Sequence, residues 1–477
     1  MIKKLFLLLL IAFLGLVLVL FFNYFTFSSK QAQVDSIPPM AIDDATLQRF
    51  SDAIKFETVS YQDTADFQAA PFEEFNAYLK EQFPLTDSLL KREEVGLSLL
   101  YTWEGTDPSA APVVLMSHID VVPVDENTLA DWEAPPFSGR IQNGKIYGRG
   151  TMDDKISLMA ILESVERHLA AGVVPKQTIY LAFGHDEEIG GEHGAKVIAE
   201  KLASEGVKPS FVLDEGGYVA DGMVPGLEKP LAVINVAEKG YVSFELKITT
   251  KGGHSSAPPA DNTIGSLATA ITKLEANQFH TRMVEPIQWQ IEHIGPEFPF
   301  VQKLVFANHW LFEGQILEAL SGYTTTAPTI FNSGVKDNVI PTTATAVVNF
   351  RILQGETVDN IRQHIMEVVD DERITLSTVS NVNEPSAISS IDSDAYRNIE
   401  KTIRQVLPNA IVSPGLVGGG TDAKHWEGIA ENAYRFFPIR ISESNMTGFH
   451  GINEHIEVEN YKETIRYYHQ LIVNLSE

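Results

Sequence analysis

Three apolar, strand-like runs in this chain each end in a cluster of acidic or imidazole side chains. The runs and their clusters are 113–116 with His118 and Asp120, 178–183 with Asp186, Glu187 and Glu188, and 211–213 with Asp214. A further pair, Asp153-Asp154, precedes residues 158–169, where apolar residues recur at helical spacing. In an open α/β sheet, ligands and catalytic groups gather beyond the carboxyl ends of parallel strands. The pattern therefore predicts a mostly parallel sheet with a metal site at one edge.

A change of pattern at Lys239-Gly240 indicates a second structural unit. Before it, another apolar strand is predicted at 231–237; after it come alternating strands and amphipathic helices typical of an α+β unit. Those later elements are strands at 241–249, 344–350 and 374–378 and helices at 262–276 and 357–369. The predicted limits are 1–34 for an N-terminal segment, 35–238 and 384–477 for the larger domain, and 239–383 for an inserted domain. Within the insertion, segment 278–330 has a weak pattern, with an apolar helix expected near Trp310 and Ile316.

The N-terminal segment has the composition of a membrane anchor. Lys3 and Lys4 precede an unbroken apolar run from Leu5 to Phe22, which is long enough to cross a bilayer. Basic residues before such a run favour a cytoplasmic N-terminus and export of the remaining chain. We expect an uncleaved signal anchor. A cleaved signal peptide is the alternative, although Gln31-Ala32-Gln33 is a poor cleavage site.

Composition narrows the function classes. A content of 44% hydrophobic and 21% charged residues is typical of a globular protein. The formal net charge of −27 argues against nucleic-acid binding, because that function needs a basic face. Since the chain has no cysteine, a metal site would have to use His, Asp and Glu.

Each polar cluster also has a simpler interpretation. His118 and Asp120 lie two residues apart and point the same way on a strand, so Asp120 could orient a metal-bound His118 or the two could form a surface ion pair. Asp153-Asp154 could bind a metal or cap the following helix. Glu187-Glu188 could direct one carboxylate to a metal and the other to its water, or form a solvated turn. The four clusters in this order favour a metal site over these separate explanations.

The chain resembles the zinc peptidase family of aminoacylases, carboxypeptidase S, dipeptidases and succinyl-diaminopimelate desuccinylase. The motifs that carry the resemblance are His118-x-Asp120, Gly148-Arg149-Gly150-x-x-Asp153-Asp154-Lys155, Asp186-Glu187-Glu188 and Asp214-Glu215-Gly216. The resemblance covers nearly everything after the anchor. The stretch 184–191, the anchor and the long 278–330 segment are most similar to the carboxypeptidase S and N-acyl-amino-acid hydrolase branch. One departure is Ile156, where glycine commonly follows the lysine.

The resemblance implies an α/β di-zinc peptidase domain with an inserted α+β lid or dimerisation domain. Zinc would be bound as two ions, with cobalt or manganese as possible substitutes. The implied metal ligands are His118, Asp153, Glu188, Asp214 and His450. Asp153 would bridge the ions and precede a cis peptide, and Glu187 would be the general base that activates the hydrolytic water. Asp120 is the implied catalytic partner behind His118.

The inserted domain holds further residues that the resemblance assigns to substrate. His254 would help to stabilise the oxyanion, in dimeric relatives within the partner subunit's site. Asn338, Arg351, Gly419 and Gly420 match the family's clamp for a substrate carboxylate. Taken alone, these are an ordinary glycine-histidine turn, a strand-end ion pair and a flexible loop.

These expectations describe a hydrolase that cleaves amide bonds next to a free carboxylate. Its substrates would be short peptides or N-acyl amino acids, and it would be membrane-anchored with the catalytic part outside the cytoplasm. A homodimer through the inserted domain is possible, and no nucleic-acid partner is expected. The alternatives are a dipeptidase or aminopeptidase that recognises a free amine, and an inactive binding or scaffold protein on the same fold.

Overall fold

The computed structural model describes residues 2–63, 65–259, 261–379 and 382–476, so the predicted limits at residues 1 and 477 lie outside the described residues. The helices are α1 Ile2–Thr26, α2 Asp44–Ala53, α3 Ala70–Gln82, α4 Pro84–Leu89, α5 Lys155–Ala170, α6 Ala195–Ser204, α7 Thr263–Ala276, α8 Glu285–Ile294, α9 Phe300–Ala307, α10 Glu313–Ala319, α11 Val358–Val369, α12 Asp394–Val406 and α13 Val458–Ser476.

The strands belong to four sheets. They are β1 Lys91–Val95, β2 Ser98–Trp103, β3 Val113–His118, β4 Ile141–Gln142, β5 Lys145–Tyr147, β6 Ile179–Gly184, β7 Phe211–Asp214, β8 Val219–Ala220, β9 Leu231–Glu238, β10 Gly240–Thr249, β11 Gly253–His254, β12 Thr325–Ser333, β13 Val339–Ile340, β14 Thr343–Ile352, β15 Ile374–Thr378, β16 Ile411–Val417, β17 Ala433–Arg435, β18 Arg440–Ile441 and β19 His455–Glu457. The strands predicted before Lys239 correspond to β3, β6, β7 and β9.

The large sheet is mixed, which corrects the prediction of a mostly parallel sheet. Its order is β1-β2-β6-β3-β7-β17-β9-β8-β18, with β16 paired to β9. The central strands β6, β3, β7 and β17 are parallel, whereas β2 joins β6 and β17 joins β9 in antiparallel fashion. The apolar runs of the central strands predicted their parallel arrangement, but no local pattern specified the direction of the outer strands.

Helix α5 connects the polar cluster at Asp153-Asp154 to the core of the large sheet. The predicted apolar positions Leu158, Ile161, Leu162 and Val165 are completely buried. They belong to one hydrophobic core with β3, α12 and α13. A helix buried on this scale holds its N-terminus, and therefore the acidic pair, in a fixed position.

A smaller sheet, ordered β12-β14-β10-β15, has its own core. Alternate residues of β10 and β14 point inward and pack against α7 and α11. Both helices begin at side-chain caps: Asn262 accepts from the Gly265 N–H, and Thr357 and Asn360 cap each other reciprocally. The five elements predicted after Lys239 are present in this unit, whereas β12 at its edge was not predicted.

Segment 278–330 and the N-terminus are linked in space. The segment forms α8, α9, α10 and the first part of β12. Of the two residues around which an apolar helix was expected, Ile316 lies in α10, whereas Trp310 lies in a 3-10 turn just before it. Helix α1 is long and apolar enough to cross a membrane, is the only such helix among the described residues, and has no part of its apolar window buried. Its last turns contact α9.

Candidate metal centre and active site

The parallel strands β6, β3 and β7 bring three of the sequence clusters to one edge of the sheet. His118 ends β3, and its register partner Gly184 ends β6, just before the turn that carries Glu187 and Glu188. Asp214 ends β7 on the other side of β3. The sheet therefore places the imidazole and the carboxylates together, as the order of the motifs predicted.

Asp153 lies between two histidines that are distant in sequence. Its Oδ1 is 3.0 Å from His118 Nε2, and its Oδ2 is 2.9 Å from His450 Nε2. Burial opposes the charge on Asp153, but hydrogen bonds from both histidines lower its pKa. Each oxygen of one carboxylate thus faces a separate imidazole, the arrangement expected of a ligand shared by two ions. The Asp153-Asp154 peptide is cis, as the resemblance implied.

Glu215, and not Asp214, faces His118, which corrects the predicted ligand set. Glu215 Oε1 is 3.5 Å from His118 Nε2. Asp214 Oδ2 instead accepts a hydrogen bond from the Ala423 N–H at 2.7 Å. Successive residues at the end of a strand point in opposite directions, so only one of these adjacent carboxylates can face His118.

Asp120 positions both the histidine and the glutamate pair. The Nδ1 atom of His118 is 2.9 Å from the Asp120 backbone oxygen and 3.4 Å from Oδ1, which leaves Nε2 facing the cluster. The Asp120 carboxylate also accepts the backbone N–H groups of Glu187 and Glu188, each at 3.1 Å. It therefore orients a candidate ligand and the turn that carries the candidate base, as a second-layer carboxylate commonly does.

The two adjacent glutamates lie in different surroundings. Glu188 Oε2 is 3.4 Å from His450 Nε2, and Glu188 forms a possible ligand group with His118 and Asp153. Glu187 is not in that group. Burial raises the pKa of Glu187 to about 8, with nearby acidic groups such as Asp153 adding to the effect. Burial therefore disfavours the charged form of Glu187, and a cation bound nearby would favour it.

A buried ion pair holds the His450 loop against the Asp153 loop. Arg149 Nη1 donates to Glu454 Oε2 at 2.6 Å, and the other Glu454 oxygen accepts the Met152 N–H at 2.8 Å. Arg149 also donates to the Gly451 carbonyl at 3.0 Å. These bonds explain how a histidine far along the chain reaches Asp153, since no local pattern at His450 indicated its partner.

The donor set fits divalent metal ions. Two groups of residues each bring three possible ligand atoms within 4.8 Å of one another. The first group is His118, Asp153 and Glu188, and the second is His118, Asp154 and Glu215. Among the described residues, Glu188 Oε1 and both Asp154 carboxylate oxygens are buried without a hydrogen-bond partner. Buried carboxylate oxygens are costly unless something compensates them. Cations do so, and zinc accepts this combination of nitrogen and oxygen ligands.

The predicted substrate residues separate into two places. Arg351 reaches from β14 to the glycine loop, donating to the Gly418 carbonyl at 3.2 Å and lying 4.7 Å from the Tyr241 ring centre. His254 and Asn338, by contrast, lie on and beside the exposed two-stranded sheet that pairs β11 with β13. Within the described part of the chain, the side-chain hydrogen bonds of His254 go only to Ser256. The single chain thus joins Arg351 to the glycine loop, and it leaves His254 and Asn338 without a hydrogen bond to the candidate metal ligands among the described residues.

A cavity of about 320 Å³ opens directly on the candidate metal ligands. Asp153, Glu215 and His450 line part of it, and so do Gly419 and Gly420. The remaining wall is largely apolar and includes Tyr218, Val417, Phe437, Ile441, Met446 and Phe449. An added Cβ at either glycine would meet nothing within 4 Å, so their backbone faces open space. Such a cavity can accept a molecule with a polar reacting group and a hydrophobic part.

Asp422 is a buried acidic residue to which sequence reasoning gave no role. It lies behind the Glu187 turn, where a Cβ at Gly191 would meet Asp422 Oδ1 at 2.0 Å. Burial, followed by repulsion from Glu187 and Asp214, raises its pKa well above the usual value. The Gly-Thr-Asp sequence at 420–422 was the available signal, but its contact with the Glu187 turn exists only in three dimensions.

The family model and three relatives that match this chain are all peptidases or hydrolases by name. The model of Peptidase family M20/M25/M40 matches residues 114–474. Probable carboxypeptidase S-like 2 of Dictyostelium discoideum is 40% identical, covering 97% of this chain and 92% of the relative. The human N-fatty-acyl-amino acid synthase/hydrolase PM20D1 is 38% identical, with coverages of 88% and 86%. Carboxypeptidase S of Saccharomyces cerevisiae is 31% identical, with coverages of 92% and 85%.

A solved structure shares the fold. The M20 family metallo-carboxypeptidase Sso-CP2 from Sulfolobus solfataricus superposes with a TM-score of 0.70 at 21% identity, covering 91% of this chain and all (100%) of that one. At this identity the likeness concerns the fold.

Proposed function

The chain belongs to peptidase family M20/M25/M40, and from that premise we propose that it hydrolyses amide bonds next to a free carboxylate, using two zinc ions. It is a hydrolase of the metallopeptidase class with carboxypeptidase and N-acyl-amino-acid hydrolase relatives. The observation that carries the finer proposal is Asp153 between His118 and His450, beside a cavity with an apolar wall. The proposed ligands are His118, Asp153, Glu188, Glu215 and His450.

Glu187 is the proposed general base. Zinc, when bound, would lower the pKa of a water molecule and polarise the amide carbonyl. Glu187 takes a proton from the attacking water and delivers it to the leaving nitrogen, so the carboxylate ends the cycle unchanged. Its position in the turn next to Glu188, one of the proposed ligands, suits both transfers. Asp120 keeps the Glu187 turn in place through its two backbone hydrogen bonds.

Arg351 and the glycine loop support the recognition of a substrate carboxylate. The planar guanidinium group matches a carboxylate in geometry and charge, and its contact with Gly418 places it beside the loop whose Gly419 and Gly420 line the cavity. The apolar wall suits a hydrophobic acyl chain or side chain. N-acyl amino acids with an apolar acyl group are therefore the proposed substrates, and short peptides with a free carboxyl end are the second class.

We propose further that two copies of the chain assemble through the inserted domain. β12 is an edge strand of the four-stranded sheet, and its Ile330 and Phe331 are about half exposed. An edge strand with exposed apolar side chains is a template for pairing. In a dimer, the exposed His254 and Asn338 could approach the partner's metal cluster, which would explain their distance from the cluster in their own chain.

The proposed location is a membrane, with α1 as a retained anchor and the catalytic part on the extracytoplasmic side. The length and composition of α1 and the preceding Lys3 and Lys4 support it.

A substrate screen of the full-length protein tests the reaction. We expect an N-acyl amino acid to be hydrolysed faster than its C-terminal amide, chelation to stop the reaction, and zinc to restore it. Glu187→Gln is the matched control, because it should remain folded and bind metal without turnover.

Other outcomes would identify the alternatives. Equal rates for the acid and the amide would contradict carboxylate recognition. Preference for substrates with a free amine would favour a dipeptidase or aminopeptidase. An inert, metal-loaded protein would indicate a binding or scaffold role.

A further inference from the structure

The last turns of α1 pack against the α8–α10 segment, defined as residues 285–319. Asn308 donates to the Leu20 carbonyl at 3.1 Å, and Asn23 donates to Asn308 Oδ1 at 2.9 Å. The Phe300 ring lies edge-on to Tyr24, with 5.1 Å between the ring centres. These contacts fix the direction in which α1 leaves the folded body.

The chain just after α1 is integrated still more deeply. Phe27 packs so closely on Gly295 that a Cβ there would meet its ring at 2.6 Å. The buried side chain of Gln31 pairs with both backbone groups of Val412: it accepts the N–H at 2.7 Å and donates to the carbonyl at 2.8 Å. Cleavage of α1 near Gln31 would remove these contacts from the fold. The structure therefore favours a retained helix over a cleaved signal peptide.

The α8–α10 segment carries an apolar surface beside α1. Five large side chains each expose between 40% and 66% of their area. They are Phe300, Val301, Trp310, Leu311 and Phe312. Phe300 also contacts Phe21 of α1, at 6.4 Å between ring centres, so this surface continues the exposed apolar surface of the helix. Large apolar side chains exposed together over residues 300–312 are a candidate binding surface.

We propose that residues 300–312 lie in the interfacial layer of the membrane that α1 crosses, which forms a second membrane contact. This inference depends on the proposal that α1 is a retained anchor. The run from Leu5 to Phe22 is about 27 Å long as a helix, close to the roughly 30 Å of a bilayer core. Because Phe300 contacts α1 at Phe21 and Tyr24, it lies at the outer end of that run.

The composition of the surface matches the membrane boundary. Tyr24 and Trp310 are aromatic residues of the type enriched at membrane–water interfaces. The α8–α10 segment contains five glutamates and a single lysine, so acidic lipids would not attract it. The proposed partner is therefore a lipid surface held by apolar contact and not by charge. The anchored body would be held close to the bilayer by two contacts, where an apolar substrate would concentrate.

Fluorescence quenching by labelled lipids can test this placement in the full-length protein. Because the chain has no cysteine, single cysteines can be introduced and labelled at Val301, Trp310, Leu18 and Leu89. Each variant is reconstituted in phosphatidylcholine nanodiscs that contain lipids with a nitroxide near the headgroup or deep in the acyl chain. We expect Val301→Cys and Trp310→Cys to be quenched at least about twofold more by the shallow nitroxide than Leu89→Cys.

Leu89 is the matched control because it is 61% exposed and lies beside the edge strand β1, whereas α8 packs on β16. Leu18→Cys tests the anchor separately and should be quenched by the deep nitroxide. If Leu18 is quenched but Val301 and Trp310 behave like Leu89, the interfacial surface is refuted and the anchor stands. If Leu18 is not quenched, or mass spectrometry shows that α1 has been removed, the anchor and the proposal both fail.

Discussion

Replacing each of the two adjacent acidic residues at the end of β7 by its amide, in separate variants, would test the proposed ligand set most directly. Glu215→Gln removes an anionic oxygen that lies 3.5 Å from His118 Nε2. Asp214→Asn changes the neighbouring carboxylate, whose Oδ2 accepts the Ala423 N–H. Both substitutions keep side-chain size nearly constant and remove one charge, so each is the control for the other.

The expected magnitudes differ because only one of the two carboxylates faces the cluster. Loss of a group that orients a ligand typically lowers metal affinity by about 10–100-fold, so Glu215→Gln, as a loss of the ligand itself, should lower it by at least ~100-fold. Asparagine at 214 can still accept the Ala423 N–H through its amide oxygen, so Asp214→Asn should lower affinity by ~10-fold or less.

Zinc per chain, measured by elemental analysis after dialysis against graded chelator, distinguishes the variants. Glu215→Gln should lose one of its two ions at chelator concentrations that leave Asp214→Asn with both. Circular dichroism and thermal unfolding of the metal-loaded proteins would check that both variants are folded. The opposite ranking, with Asp214→Asn losing zinc first, would refute the proposed role of Glu215 and restore the assignment made from sequence.

Three further predictions follow from the site and the core. Glu187→Gln should lower kcat by about 10²–10⁴-fold while zinc content stays normal, because only proton transfer is lost; an active variant in steady-state assays would exclude it as the base. Arg351→Ala should slow hydrolysis of the acid substrate by roughly 10–150-fold, the equivalent of about 1.5–3 kcal/mol, and leave hydrolysis of the amide unchanged. His254→Ala should instead lower kcat for both substrates. Measurement of kcat/KM for the acid and the amide separates the two roles. Burial, with repulsion from nearby cations, lowers the pKa of His469 to about 4, below its unfolded value of ~6.5. The neutral form is therefore favoured in the fold, and stability should decline as pH falls from about 6.5 towards 4. The Tm of His469→Phe should therefore fall less over this pH range than the Tm of the wild type. Parallel plots of Tm against pH for the two proteins would contradict a destabilising role of His469.

Local pattern was sufficient for much of the fold. Alternation along 241–249 and 344–350 and helical spacing along 158–169 arise from the burial of one face, so the sequence contains them directly. The apolar runs before His118 and Glu187 likewise predicted that these clusters meet at one sheet edge. The N-terminal apolar run from Leu5 to Phe22, eighteen residues long, predicted a helix able to cross a membrane without any tertiary information.

Tertiary structure decided which atoms face each other. The sequence pattern does not distinguish Asp214 from Glu215 as a metal ligand, because both are acidic residues next to each other after an apolar run. Only the direction of each side chain at the end of β7 distinguishes them. His450 reaches Asp153 because the Arg149–Glu454 pair joins two loops that are some three hundred residues apart. The directions of the outer strands, and the packing of α1 on α9, likewise depend on distant partners. Spacing along the chain constrains neighbours within one element, whereas contacts between elements depend on the whole packed chain, which no local pattern contains.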